Sequence, residues 1–304
     1  MPQANLSTIR DWVRYAASEF SRAQLYFGHG TDNALDEAHA LVMHCLALPP
    51  DLPASFAGAR LAETEIEHIA ALMQRRIEER IALPYLTGEA WFAGLCFEVD
   101  QRVLIPRSPI GELITQGLQP WLDPSAPSDV LELCTGSGCI AVATAHYLPN
   151  CKVLATDLSE DALQVAETNR RLHGVADQLA LQQADLFDGL KPQLFDLIIA
   201  NPPYVSDDQL NQAPIEFKSE PRMALVSAGA GLWHALKIMR DAPDFMAEQA
   251  TLLLEVGANW PALEAAVAGL EWLQFEQGGE GVCAVSRSTL LALRPKIEEC
   301  LNNV

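Results

Sequence analysis

Residues 195–205 constrain this chain more than any other stretch: they read Phe-Asp-Leu-Ile-Ile-Ala-Asn-Pro-Pro-Tyr-Val. The run from Leu197 through Ala200 is apolar, with Asp196 before it and two prolines just after it. That is the pattern of a strand buried on both faces and ending abruptly at a sheet edge. Pro202 has no N–H and disfavours helical geometry at Asn201, and Pro203 does the same to Pro202. The chain must leave the strand extended and stiff. It carries out the side-chain carbonyl of Asn201 and the backbone carbonyl of Pro202. Suitably aimed, these two acceptors hold both hydrogens of a planar –NH2 group, with Tyr204 packed over its face. An isolated Asn-Pro reads as a turn. One that closes a buried strand lies where open α/β sheets bind ligands.

A second turn stands upstream. Residues 130–133 are strand-like, and Cys134-Thr135-Gly136-Ser137-Gly138-Cys139 leads into an apolar stretch, 140–145, that reads as a buried helix. Gly136 and Gly138 let the backbone approach a ligand, and the helix N-terminus beyond favours an anionic group. Asp157 closes the next strand, 152–157, roughly the twenty residues downstream expected of a ribose-binding acid. Asp185 follows a third strand, 179–183, where it can receive an adenine amino group. Residues 161–172 read as helix, 252–257 as a further strand, and 272–275 and 282–285 as two last strands. Strands alternating with helices predict a mostly parallel, doubly wound α/β sheet. Gly136, Gly138 and Ala141 also satisfy G-x-G-x-x-A, so a nicotinamide oxidoreductase competes at this point.

Residues 1–84 read instead as a helical domain. Ile9, Val13, Ala16 and Phe20 share a helical face after Ser7 and Thr8, and Leu35, Ala38, Leu41, Val42 and Cys45 repeat it. Thr64 with Glu67 fits a capping box, and Ile66, Ile69, Met73, Ile77 and Ile81 trace a stripe that Pro84 stops. His39, His44 and His68 read as fillers. Residues 85–106, with Tyr85, Leu86 and Thr87 ahead of Gly88 and an aromatic run from Trp91, suggest a linking β-hairpin. The catalytic domain takes 107–304, its sheet starting near Ser128.

Charge bears on the partner. The formal net charge is -20 and the pI about 4.6, a field that repels phosphate backbones and draws in a basic polypeptide. No apolar stretch has membrane-spanning length, and the start lacks the basic and apolar regions of a signal peptide. Seven cysteines, with no Cys-x-x-Cys, argue for reduced thiols in cytosol and against a zinc site. A cytoplasmic protein without a metal is expected.

Glu132-Leu-Cys-Thr-Gly-Ser-Gly-Cys139 together with Asn201-Pro-Pro-Tyr204 resembles the class I methyltransferases that use S-adenosylmethionine and modify planar nitrogens. Within them the chain looks like the protein glutamine methyltransferases, and the resemblance extends through Val103-Leu-Ile-Pro-Arg107 to Glu220-Pro-Arg-Met-Ala-Leu225. Release-factor enzymes usually follow Ile-Pro-Arg with Pro-Asp-Thr-Glu. Here Ser108-Pro109-Ile110-Gly111 stands instead, which with Cys134 and Cys139 resembles the branch acting on large-subunit ribosomal protein three. The resemblance implies a Rossmann-like seven-stranded sheet, S-adenosylmethionine as cofactor, and a free, basic ribosomal protein as substrate. It places the methionine part against Glu132, Thr135, Gly136 and Gly138, the ribose on Asp157, and the adenine on Asp185 and Leu186. Asn201 also borders the cofactor. Arg107, Asn201, Pro202, Pro203, Tyr204 and Glu220 are expected around the substrate glutamine, and Asn201, Pro202 and Tyr204 carry catalysis. The rivals are a release-factor enzyme, an adenine-N6 nucleic-acid methyltransferase, and a silent ribosome-assembly binding protein. Oligomeric state is not readable from these residues.

Overall fold

The computed structural model describes residues 6–276 and 279–303; half of the start read above for a signal peptide, residues 1–5, lies outside the described residues. The chain divides into two units, residues 1–90 with 214–219, and residues 91–213 with 220–304.

The first unit is helical. Helix α1 (Ile9–Arg22) opens with a reciprocal cap: Asp11 N–H donates to the Thr8 hydroxyl, and Thr8 N–H donates to the Asp11 carboxylate at 3.0 Å. Its buried face is Ile9, Trp12, Ala16 and Phe20, with Val13 at the margin. Helix α2 (Ala34–Cys45) buries Ala38, Leu41 and Val42, while Leu35 overhangs the stripe at the N-terminal end and stays 57% exposed. Helix α3 (Glu63–Glu79) starts differently from expectation. Its cap is Ala62, whose N–H donates to Glu65 at 2.7 Å, two residues before the Thr64–Glu67 box. Alanine has no oxygen to return the bond, so the box is half made. The helix ends where Arg80 turns left-handed (φ +58°), which leaves Ile81 outside it.

Pro84 does not stop that helix; it opens α4 (Leu83–Thr87), since the first turn needs no N–H from it. Tyr85, Leu86 and Thr87 are therefore helical, not strand, and Gly88 closes the turn at φ +76°. A buried ion cluster lies at the heart of this unit. Arg76, fully buried, donates to Glu37 at 2.7 Å and to the Tyr26 carbonyl at 2.9 Å. Glu216 accepts from Tyr26 N–H at 3.1 Å, with Arg80 at 3.0 Å and Arg76 at 3.6 Å. It comes from a short 3-10 turn, Ile215–Ser219, that the chain contributes to this unit from far along its length.

A hairpin, β1 (Glu89–Phe92) and β2 (Leu95–Glu98), begins at the division, and α5 (Ile110–Thr115) follows. The second unit is built on seven strands: β3 (Ser128–Leu133), β4 (Cys151–Asp157), β5 (Leu179–Gln183), β6 (Phe195–Ala200), β7 (Met246–Glu255), β8 (Glu271–Trp272) and β9 (Val282–Ser286). Their order is β5-β4-β3-β6-β7-β9-β8, with β9 antiparallel to both neighbours and the other pairs parallel. Strand β8 stops at Trp272, short of the stretch to Phe275 expected from the aromatic pattern. Helices α6 (Cys139–Tyr147), α7 (Glu160–Leu172), α8 (Asp207–Gln212), α9 (Arg222–Leu225), α10 (Trp233–Asp241), α11 (Trp260–Ala266) and α12 (Arg287–Asn302) complete it. In β6, Leu197, Ile198, Ile199 and Ala200 have no exposed surface, and burying each large apolar side chain contributes about 1.5–3 kcal/mol.

Strand β3 pairs with β4 on one side and β6 on the other, Val130 lying level with both Val153 and Leu197. Chain order reverses there. The loops after β3 and β6 leave neighbouring strands at the same sheet edge, the crevice where open α/β sheets take ligands. No helix among the described residues is long and apolar enough to cross a membrane.

Candidate active site

The loop after β3 is shaped by backbone geometry. Cys134 adopts a left-handed conformation (φ +58°), uncommon without a glycine, and Gly136 (φ +56°) and Gly138 (φ +78°) follow it. The two glycines serve different ends. A Cβ on Gly136 would meet nothing within 4 Å, so its open face belongs to the cavity. A Cβ on Gly138 would sit 3.0 Å from the Ala166 Cβ, so this glycine lets α7 pack close and starts α6. Asn169, also on α7 and fully buried, accepts from Glu98 N–H and donates to the Ser137 carbonyl, each near 2.9 Å. The hairpin, helix and glycine turn are thereby tied together.

Carboxylates gather at the turn and the strand ends. Glu132 is buried under the turn and accepts from the Thr135 hydroxyl at 2.6 Å; burial pushes its carboxyl up to about 8. Asp157, at the end of β4, accepts Gly136 N–H on one oxygen and Ser159 N–H on the other, both at 2.9 Å. Burial raises its pKa, against those backbone bonds. One lone pair remains on each oxygen, a spacing suited to a vicinal diol. Asp185 is exposed, 3.9 Å from Lys237, and Leu186 beside it is buried with φ +53°.

A cleft of about 740 Å³, its open solvent-filled mouth included, lies over these groups. It brings together Gly136, Asp157, Asp185, Leu186, Asn201 and Pro203. The Asn201 Oδ1 is buried and has no hydrogen-bond partner among the described residues. An acceptor left in that state costs about 1–3 kcal/mol, a cost that a bound N–H donor removes. Pro202 is buried beside it.

Other expected residues stand elsewhere. Glu132, Thr135 and Gly138 lie beneath the cleft wall rather than in it. Arg107 and Glu220 bind each other through two bonds, at 2.6 and 2.9 Å, with the Glu220 carboxylate fully buried. That pair braces the site; its carboxylate is committed to the guanidinium. Tyr204 is not among the cleft-lining residues, and its ring packs on Gly257, where a Cβ would come within 2.8 Å. Sequence reasoning passed over Leu158, Met223 and His234, which line the cleft. Leu158 and Met223 are 52% and 53% exposed, apolar surface at the rim that a ligand can cover. His234 pairs through Nδ1 with the Ser227 hydroxyl at 2.7 Å, and burial lowers its pKa.

A glycine turn under a parallel sheet's switch point, acids at successive strand ends, and an unsatisfied amide beside them define a class I S-adenosylmethionine-dependent methyltransferase. The methyltransferase small domain family matches residues 114–249. A ribosomal protein uL3 glutamine methyltransferase of Xanthomonas campestris is 47% identical over 97% of this chain and 96% of its own. Relatives of that name from Xylella fastidiosa (46%, 96% of this chain, 94% of the relative) and Burkholderia pseudomallei (45%, 94% and 96%) are similar to it as well. The chain belongs to the ribosomal protein uL3 glutamine methyltransferase family. Among solved structures, a methyltransferase from Pyrococcus furiosus is similar at 18% identity and a TM-score of 0.48, over 64% of this chain and 89% of its own.

Proposed function

We propose that this protein methylates the side-chain amide nitrogen of a glutamine in ribosomal protein uL3, taken as the free protein in the cytoplasm before its assembly into the subunit. The observation that carries the chemistry is the buried Asn201 Oδ1 in the cleft lining, which has no hydrogen-bond partner among the described residues. S-adenosylmethionine, when bound, supplies an electrophilic methyl on a positive sulfur. The residues fit it: Asp157 has an open lone pair on each oxygen for the ribose hydroxyls, and Gly136 leaves room for the methionine part. Glu132 and Thr135 set the turn from below, Gly138 starts the helix behind it, and Asp185 with Leu186 takes the adenine end.

An amide nitrogen is a poor nucleophile, because its lone pair is delocalised into its carbonyl. Asn201 Oδ1 and the Pro202 carbonyl accept its two N–H bonds, orient it, and raise its electron density; as the N–C bond forms, the carbon–sulfur bond of the donor would break to leave a neutral thioether, and one of the two N–H protons would pass to water. Pro203 walls the pocket, and the Arg107–Glu220 pair holds the segment leading to Pro221 at the cleft wall. The helical unit, residues 1–84 in our reading, recognises the substrate protein.

The acidic field supports a basic partner. Four acceptors incubated side by side with labelled cofactor test this: free uL3, mature large subunits, a release factor and naked nucleic acid. Label is expected chiefly on free uL3, with apparent affinity falling as salt rises. Label on a release factor overturns the branch, and label on adenine overturns the partner class.

A further inference from the structure

Tyr204, expected to lie flat on the substrate amide, is held from behind instead. Its hydroxyl only reaches Glu255 Oε1 at 3.4 Å, a long bond, while the other Glu255 oxygen accepts from the Ser108 hydroxyl at 2.5 Å. The firm hold on the loop is at the other end of the residue. Asn259 Nδ2 donates to the Tyr204 carbonyl and reaches the Ala230 carbonyl at 3.5 Å, while its Oδ1 accepts from Gln209 Nε2 at 2.9 Å. Two carbonyls on one side and an N–H donor on the other leave a single amide orientation that satisfies all three. Asn259 is buried, in the 3-10 turn Gly257–Asn259 that follows β7. Any side chain on Gly231 (φ +91°) would collide with both the Asn259 amide and the Tyr204 carbonyl, so this approach is as close as a backbone permits.

We propose that Asn259 is a positioning residue for methyl transfer, fixing the Tyr204 carbonyl and through it the stiff Asn201–Tyr204 segment. The proposal rests on the methyltransferase reading above and adds to it a residue that touches neither substrate nor cofactor. The prolines make the link effective. Pro202 and Pro203 have locked φ angles, so a carbonyl pinned at Tyr204 limits where Asn201 and the Pro202 carbonyl can point. Hydrogen bonds from Val205 N–H to the Leu225 carbonyl (2.8 Å) and from Ser227 N–H to the Val205 carbonyl (2.9 Å) hold the next residue, so the freedom that Asn259 removes lies between them and β6.

The test is Asn259→Asp, which keeps the shape and replaces the donor by an oxygen facing two carbonyls, together with Gln209→Ala, which frees the Asn259 amide and also takes the Ser206 N–H acceptor from the α8 cap. Asn259→Asp should lower turnover at least tenfold while cofactor affinity by calorimetry and KM for the acceptor stay within twofold. Hydrogen exchange at the Asn201, Tyr204 and Val205 amides should rise at least tenfold in it, with 195–200 unchanged, the Ser206 amide being left out because Gln209 itself is its acceptor. Gln209→Ala should show the same pattern, a few-fold in size, so the proposal stands or falls on it if Asn259→Asp does not fold. Unchanged turnover and exchange, or turnover and cofactor affinity lost in parallel, overturns the proposal. The exchange readout needs no acceptor, so a wild type inactive on uL3 would sink the functional reading without deciding this one.

Discussion

Replacing Asp157 by alanine tests the ribose assignment, and S-adenosylmethionine set beside NADH separates this account from a nicotinamide oxidoreductase. The carboxylate has two jobs: each oxygen takes one backbone N–H, from Gly136 and Ser159 at 2.9 Å, and each has a lone pair left for a ribose hydroxyl. Removing it takes away two charge-assisted bonds to the cofactor. Such bonds contribute about 1.5–3 kcal/mol each when the partner is charged, and water rehydrates the freed hydroxyls in part. The expected net loss is more than ~1.5 kcal/mol, or over tenfold in affinity. The Gly136 and Ser159 N–H groups also lose their acceptors, so the ligand-free protein should melt a few degrees lower. Asp157→Glu should recover charge but not geometry, because an added methylene moves both oxygens off the turn. Calorimetry with S-adenosylmethionine and with NADH, beside thermal melts, reads all of this. An unaffected Asp157→Ala, or tight NADH binding by the wild type, would refute the assignment.

Gly138→Ala should cost roughly 2–4 kcal/mol of stability, from a left-handed alanine and a Cβ 3.0 Å from Ala166, and a melt near wild type would show that α7 moves aside. Glu132 and Glu255 titrate near 8 and near 7 in the folded chain, above the ordinary 4.5, so the native state holds more protons than the unfolded one between those values. Stability of the ligand-free protein should therefore fall as pH rises from about 5 to about 8 and then level, with Glu132→Gln flattening the upper part; a melting temperature that climbs over this span contradicts it. Glu216→Ala takes the acceptor from Tyr26 N–H and Arg80 and leaves wholly buried Arg76 with Glu37 as its carboxylate partner, and should destabilise the helical unit by about 1–3 kcal/mol in chemical denaturation, whereas a silent substitution would mean Glu37 alone satisfies the cluster.

What could be read from the sequence followed local physics. Strands β3 and β6 were legible because central parallel strands buried on both faces are near-continuous apolar runs, and the proline pair fixed where β6 had to end. Gly136, Asp157, Asp185 and Asn201 were legible because the topology sends strand ends to one crevice. Tyr85 to Thr87 misled because aromatic and β-branched residues favour strand, while Pro84 suited the first turn of a helix. Glu216 was invisible: a lone acid in a polar stretch becomes a buried ion only against Arg76 and Arg80, some 140 positions earlier in the chain. The pairings of Arg107 with Glu220 and of Asn259 with Tyr204 were equally unreadable, although Arg107, Glu220 and Tyr204 themselves stood out in the sequence. Residues that form the backing of a site depend on long-range pairing, and no periodicity announces them.

The central claim is that Asn201 receives the amide of a uL3 glutamine. The measurement is fragmentation mass spectrometry of uL3 after incubation with S-adenosylmethionine and either the wild type or Asn201→Ala. One methyl on a glutamine side chain is expected with the wild type. Asn201→Ala should bind the cofactor normally and lose at least about a hundredfold in rate, as is typical of one transition-state contact. Full methylation by Asn201→Ala, or a methyl on any residue other than glutamine, would contradict it.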